Sequence, residues 1–268
     1  MEQGLHKEVK MATDPRYQRV GDGHSARNWE DLAIAEDHAG WVARSRVMLT
    51  PIAAPSIMGL FGFTIATVML GAYQAGWYGN ATTTLIIWPF AMFAGGIMQS
   101  IAAIASLRAR DGVAVAVHTA WGSFWVGWGI LQLLVATHVM APIPLGAAAP
   151  SFAFWFIALT LVTFWGAIGA LAQNMLVFLT LAVLTAGSAV TAAGFWAGSL
   201  GTVNAGGWLF VISAAAAWLA AGAMVLEHSF GRTIIPVGKW SRTANIPGVK
   251  VADPIGYPAG MPGVRVGQ

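Results

Sequence analysis

The chain has 268 residues, of which 57% are apolar and only 9% charged, with 14 Lys and Arg against 11 Asp and Glu. An ordinary soluble domain carries roughly 25% charge, so this composition excludes a water-soluble enzyme, whose surface could not be kept hydrated. The absence of cysteine excludes a disulfide framework, a thiol nucleophile, an iron–sulfur cluster and a Cys-ligated zinc site.

The charges lie at the two ends. The first 56 residues hold 15 of them and no early apolar run, so no signal peptide is expected ahead of the first span. Within residues 1–50, the stretch 28–48 sets Trp29, Leu32, Trp41 and Val42 among Glu, Asp and Arg. That spacing predicts an amphipathic helix on the membrane surface, against the alternative of a poorly ordered charged tail. From Ile57 to Leu226 the only charged residues are Arg108, Arg110 and Asp111.

A helix needs about 20 apolar residues to cross the hydrocarbon of a bilayer. Six stretches qualify in chain order: Ile57–Tyr78, Leu85–Leu107, Val113–His138, Phe152–Leu171, Met175–Ser199 and Trp208–Leu226. Loop chemistry separates them at Gly79–Thr82, Arg108–Gly112, the Pro/Gly/Ala stretch around Pro142–Pro150, Gln173-Asn174 and Gly201–Gly207. Continuous apolar runs of this length do not fit the alternating ten-residue strands of a β-barrel. The fold class is therefore an all-α integral membrane protein, with a six-transmembrane-helix bundle over 51–228 and a C-terminal tail over 229–268. Glycines such as Gly95-Gly96 and the Gly194-x-x-x-Gly198 pair suit close helix approach. The Gly- and Pro-rich chain from Lys239 onward is expected to be mobile.

Orientation follows from the cations. Seven Lys and Arg precede the first span, two lie in the loop after the second, and five follow the sixth. The three loops on the other side hold none. Both termini are therefore expected in the cytoplasm, with the protein in the cytoplasmic membrane.

Intramembrane carboxylates and cations mark proton relays and ion-coupled sites. The six spans hold none between their ends; only His118 and His138 are ionisable there, both in the third. Paired carboxylates, a His-Glu-x-x-His metal motif and a Gly-rich phosphate loop are all missing. The expectation is no enzyme, no cofactor, no metal and no nucleic-acid partner. Passage of a small molecule through a mostly apolar path remains, or a purely structural role.

Two stretches are more specific. Ala54-Pro55-Ser56-Ile57-Met58-Gly59-Leu60-Phe61-Gly62-Phe63 opens the first span, and Phe230-Gly231-Arg232-Thr233-Ile234-Ile235-Pro236-Val237-Gly238 follows the sixth. They resemble the two signatures of the acetate uptake transporter family, the first of which reads Asn-Pro-Ala-Pro-Leu-Gly-Leu. Phe93-Ala94-Gly95-Gly96-Ile97-Met98-Gln99 and Gly122-Ser123-Phe124-Trp125 also match. The likeness covers about residues 54–240. Departures are Ala54 for the signature Asn, Ile57 for its second Pro, and Ser106 where relatives often carry a carboxylate.

The resemblance implies a six-helix protomer with its own pore, assembled as a homo-hexamer in membrane lipid. Its cargo would be acetate and related short monocarboxylates, with succinate within the class, moved with protons. The family's pore is pinched by a Phe, an aromatic (usually Tyr) and a Leu, which fall here on Phe63, Trp121 and Leu181. These lie 6, 8 and 6 positions into the first, third and fifth spans, about 9–12 Å deep at 1.5 Å per residue. One shared layer is possible. Trp for Tyr removes a hydroxyl and leaves the indole N–H as the polar handle.

Polar candidates around that layer are Thr64, Thr67, Gln99, Ser123 and Thr180, each a possible carboxylate contact or a hydroxyl bonded back to its own helix. His118 stands three residues before Trp121 and shares its face. It is either a titrating group beside the path or a neutral histidine bonded to a neighbouring helix. The competing reading of the whole chain is a channel for neutral ammonia, urea or small amides; a non-transporting scaffold is the third.

Overall fold

The computed structural model describes residues 53–80, 82–142, 145–240 and 245–248. The amphipathic stretch expected over 28–48, and most of the tail beyond Trp240, lie outside the described residues. Six helices are long and apolar enough to cross a membrane: α1 (Pro55–Gln74), α2 (Thr83–Ala109), α3 (Gly112–Ala136), α4 (Leu145–Ala170), α5 (Met175–Ala197) and α6 (Leu200–Phe230).

Local chemistry explains most of their ends. Pro55 opens α1, where its missing N–H costs nothing and its fixed φ suits a helix. Asp111, Asn174 and Ser199 cap α3, α5 and α6 by accepting from the backbone N–H of Ala114, Val177 and Thr202. Gly198 and Gly231 close α5 and α6 in the left-handed conformation, at φ 62° and 61°. Within α2, Pro89 cannot bond back along the helix, and the next turns widen into a π-helical segment, Ala91–Met98.

Two expected loops are helical. α4 begins at Leu145, not Phe152, and carries Pro150 inside it. α6 begins at Leu200, not Trp208, so Gly201–Gly207 belongs to the helix. The physical reason is close approach. A Cβ on Gly206 would lie 2.1 Å from Thr191 Oγ1, and one on Gly207 would lie 2.4 Å from the Ala75 nitrogen. These glycines bring α6 onto α5 and α1 rather than turning the chain. Gly95 and Gly96 act as expected, against Ala66, Trp125 and Val126, as does Gly194 against Val203. Gly198 meets nothing within 4 Å and serves as a helix stop. α3 ends two residues early, leaving His138 beyond it at φ 58°.

The helices pack in sequence order, α1 on α2, α2 on α3, and so on round to α6 against α1. That closed ring has an axis. Phe63, Trp121, Trp125, Leu181, Leu184 and Phe210 share the buried core, while Phe93, Phe154, Trp165 and Trp218 stand on the exposed rim.

α1 begins and α6 ends on one face, called here the terminal face. After Gly231 the chain folds back there. Met175 and Leu176 N–H donate to the carbonyls of Gly238 and Val237 at 3.0 and 3.1 Å, so the second signature covers the free amides of α5. Lys239 is not loose: its Nζ lies 2.6 Å from Glu227, and Trp240 Nε1 donates to the Leu171 carbonyl.

Candidate functional site

Along the ring axis, space is unevenly distributed. At the far face a vestibule of about 640 Å³ opens between Tyr73, Gln74, Tyr78, Asn80, Trp128 and Gln132, among others. Its hydrogen bonds hold the wall in place: Gln74 Nε2 donates to Thr191 Oγ1 and the Val203 carbonyl, and Tyr78 to the Met69 carbonyl. Inward it shares Leu70, Gln74, Phe124 and Phe156 with a void of only about 10 Å³. Trp121 borders that void. On the terminal side a second void, about 30 Å³, is bordered by Leu60, Val117, His118 and Leu181. The first has room for about one water and the second for about two.

Between the two voids the packing is aromatic. Phe63 meets Trp121 edge-on, with ring centroids 6.0 Å apart, and Trp121 does the same with Phe124 and Phe210 at 5.7 and 6.1 Å. Phe63, Trp121 and Leu181 are all at least 96% buried and belong to one apolar cluster. Trp121 Nε1 donates to Thr163 Oγ1 at 3.0 Å, and Thr163 in turn donates to the Leu159 carbonyl. The indole is thereby anchored to α4. The sequence gives no sign of Thr163, since nothing in an apolar run distinguishes it from Thr160, whose hydroxyl bonds the Phe156 carbonyl.

Gln99 and His118 form one unit. The amide Nε2 of Gln99 donates to the Gly95 carbonyl, within the π segment, at 2.8 Å. Its oxygen lies 3.1 Å from His118 Nδ1, which must be the donor because an amide oxygen only accepts. The imidazole rests on Gly59, where a Cβ would come within 2.3 Å of Nε2. Gly62 likewise sits against the Ala94 carbonyl, at 2.3 Å for its Cβ. The glycines of the first signature thus make room for His118 and for the π segment. Of the two readings of His118, the geometry matches a histidine bonded to a neighbouring helix.

The remaining candidates separate. Thr67 is 2% exposed and lines the void beside Trp121. Thr64 donates to the Leu60 carbonyl at 2.8 Å and lies near the Ala214 carbonyl, in the seam with α6. Thr180 donates to the Leu176 carbonyl, while its own carbonyl accepts from Ser213. Ser123 is exposed, bonded to the Thr119 carbonyl, and faces a groove between α3 and α4. Thr64, Thr180 and Ser123 each stand next in sequence to a buried core residue, Phe63, Leu181 or Phe124, and so lie about 100° from it around the helix.

At the terminal face the polar closure is Asp111. One carboxylate oxygen accepts both the Ala114 N–H and, at 2.9 Å, Gln173 Nε2 from the α4–α5 turn. Both side chains border the 30 Å³ void. Among the described residues, no group of three or more His, Asp or Glu could hold a metal ion.

A sequence model described as the GPR1/FUN34/yaaH family matches residues 42–240. The chain is 31% identical over 196 residues to the succinate-acetate/proton symporter SatP of Escherichia coli K12, covering 71% of this chain and 97% of that one. It is 26% identical over 170 residues to ammonia transport outward protein 2 of Saccharomyces cerevisiae, covering 62% of this chain and 59% of the yeast one. The solved structure of the bacterial acetate channel SatP superposes with a TM-score of 0.63 at 26% identity, over 70% of this chain and all of that one. With six membrane-spanning helices and this extent of match, the chain belongs to the GPR1/FUN34/yaaH family, whose members are transporters and channels rather than enzymes.

Proposed function

We propose that this protein moves acetate and related short monocarboxylates across the cytoplasmic membrane together with protons. What supports the reading is the buried apolar cluster that includes Phe63, Trp121 and Leu181, lying between a wide vestibule and a small void and holding no charged residue. A bare carboxylate would be costly to desolvate there, and the neutral acid far less so. At a carboxyl pKa of about 4.3, roughly one molecule in 500 is neutral at pH 7. Proton linkage then follows from the substrate itself, and gating from the drying and wetting of the layer. Succinate, with two carboxyl groups to neutralise, is carried more slowly than acetate near neutral pH. In this reading Thr67, Gln99 and His118 supply polar contacts on either side of the layer, while Thr163 is taken up by the Trp121 indole.

The described Lys and Arg residues, Arg108, Arg110, Arg232 and Lys239, all stand at the terminal face. The positive-inside rule makes that face cytoplasmic. The apolar rim suits lipid and neighbouring copies, and a hexamer is the assembly proposed; mass measurement in a nanodisc should give six times 28.1 kDa of protein.

Ammonia conduction is the second reading, supported by the same absence of charge and by the likeness to the yeast ammonia transport outward protein 2. Proteoliposome flux of labelled acetate, methylammonium and urea separates the two. Acetate influx that accelerates in acid supports the proposal. Methylammonium or urea flux without acetate flux would replace it.

A further inference from the structure

Three of the buried hydroxyls in this bundle, those of Thr163, Thr180 and Ser188, bond back to the carbonyl four residues earlier at 2.6–2.9 Å, and Ser213 bonds across to the Thr180 carbonyl. Thr67 does neither. Its Oγ1 has no partner among the described residues, and neither has Trp125 Nε1, although each residue is only 2% exposed; Ser106 Oγ is also unpartnered but lines no shared cavity with them. Two orphaned polar groups are a cost the fold would ordinarily remove by a rotamer change or an apolar substitution. The residues Thr67 and Trp125 line the same 10 Å³ void, on the vestibule side of the Phe63–Trp121 contact.

The chemistry of the pair is selective. An indole N–H only donates, while a hydroxyl donates or accepts. With no cation and no carboxylate lining the void, the complement is a small group with acceptor oxygens. A carboxyl group meets that description in either protonation state: as the anion it accepts from both donors, and as the acid it can also donate to Thr67 Oγ1. Ammonium has no acceptor, so it leaves the indole N–H unpaired and can be drawn only to the ring faces. The void holds about one water, so a carboxyl group docks only when the rings it shares with the vestibule, Phe124 and Phe156, swing aside.

We propose that Thr67 and Trp125 form a two-donor carboxyl subsite at the inner end of the vestibule, which loads a short carboxylate before it crosses the Phe63–Trp121 layer. The proposal rests on the transport reading above and adds where the substrate is recognised.

The test is acetate influx into proteoliposomes over a range of concentrations, for the wild type, Thr67→Val, Thr67→Ser and Trp125→Phe. Thr67→Val keeps the shape and removes the hydroxyl; Trp125→Phe keeps a ring and removes the N–H. Each should raise half-saturating acetate about tenfold, the worth of one hydrogen bond to a charged group. Thr67→Ser restores the hydroxyl and should recover the half-saturation. Unchanged half-saturation in both Thr67→Val and Trp125→Phe overturns the subsite and leaves acetate transport standing. A wild type that carries methylammonium but no acetate overturns the transport reading, and acetamide, whose carbonyl also accepts, then decides the subsite. Acetamide flux that falls in both variants keeps it; acetamide flux absent from the wild type or indifferent to them overturns it.

Discussion

The two halves of the axis are built differently. Towards the far face the helices splay around about 640 Å³, with side-chain amides and tyrosines on the wall. Towards the terminal face they close on about 30 Å³, pinned by the His118–Gln99 and Asp111–Gln173 bonds. One half is a basin and the other a plug. The difference teaches where work must be done: a solute reaches Phe124 and Phe156 without rearranging the protein, but going further requires those rings, the Phe63–Trp121 contact and the terminal-side contacts to open.

Leu181→Ala strikes the boundary between the halves and has the largest expected effect. Removing a buried branched side chain costs roughly 2–5 kcal/mol, read as a lower melting temperature in detergent. The same cavity joins the layer to the 30 Å³ void, so propionate and butyrate should compete with acetate uptake better than in the wild type. An unchanged size profile beside a lowered melting temperature would make Leu181 a packing residue only.

Gly59→Ala tests the plug from the side of α1. Its Cβ would fall 2.3 Å from His118 Nε2, so the imidazole must move and the Gln99 bond must break. Overpacking of this kind costs roughly 1–3 kcal/mol. The added variant His118→Ala makes space for the methyl group, and the double change should recover part of that loss. Strict additivity of the two would show that they do not meet.

The distribution of this chemistry explains what could be read from the sequence. Six apolar runs were enough for the number and order of helices, because span length and the positions of Arg108, Arg110 and Asp111 are one-dimensional facts. Helix starts at Leu145 and Leu200 were hidden, since Gly201–Gly207 has a loop's composition and is helical only because α1 and α5 press against it. At the site, motif and depth single out Phe63 and Trp121, and their rings meet edge-on. Thr163, Trp125 and the Asp111–Gln173 bond depend on partners from other helices. Trp125 alone left a trace: it stands one helical turn after Trp121 and so shares its face.

Asp111 and Gln173 offer a milder break. Asp111→Ala removes both a helix cap and the bond across the void, for about 1 kcal/mol; Gln173→Ala removes only the bond, at an exposed site, and should leave the melting temperature unchanged. If the bond is part of the plug, both variants speed acetate flux by a similar factor. Faster flux in neither would confine Asp111 to capping α3.

His118→Gln should have the smallest effect on transport, and its value lies in the pH profile. Nδ1 of His118 is committed to the Gln99 oxygen and the Nε2 end of the ring abuts Gly59, so the side chain is a strut between α3 and the signature turn of α1. If the proton travels on the substrate, flux tracks the neutral acid, which falls about tenfold per pH unit above a carboxyl pKa of about 4.3. The wild type and His118→Gln should then give parallel acetate flux profiles between about pH 5 and 7, around the ordinary histidine range. A glutamine amide can replace the donor to Gln99 but cannot titrate. A flattened profile in the variant would therefore place the proton on His118 rather than on the acid, and would make the terminal-side half a chemical participant and not only a plug.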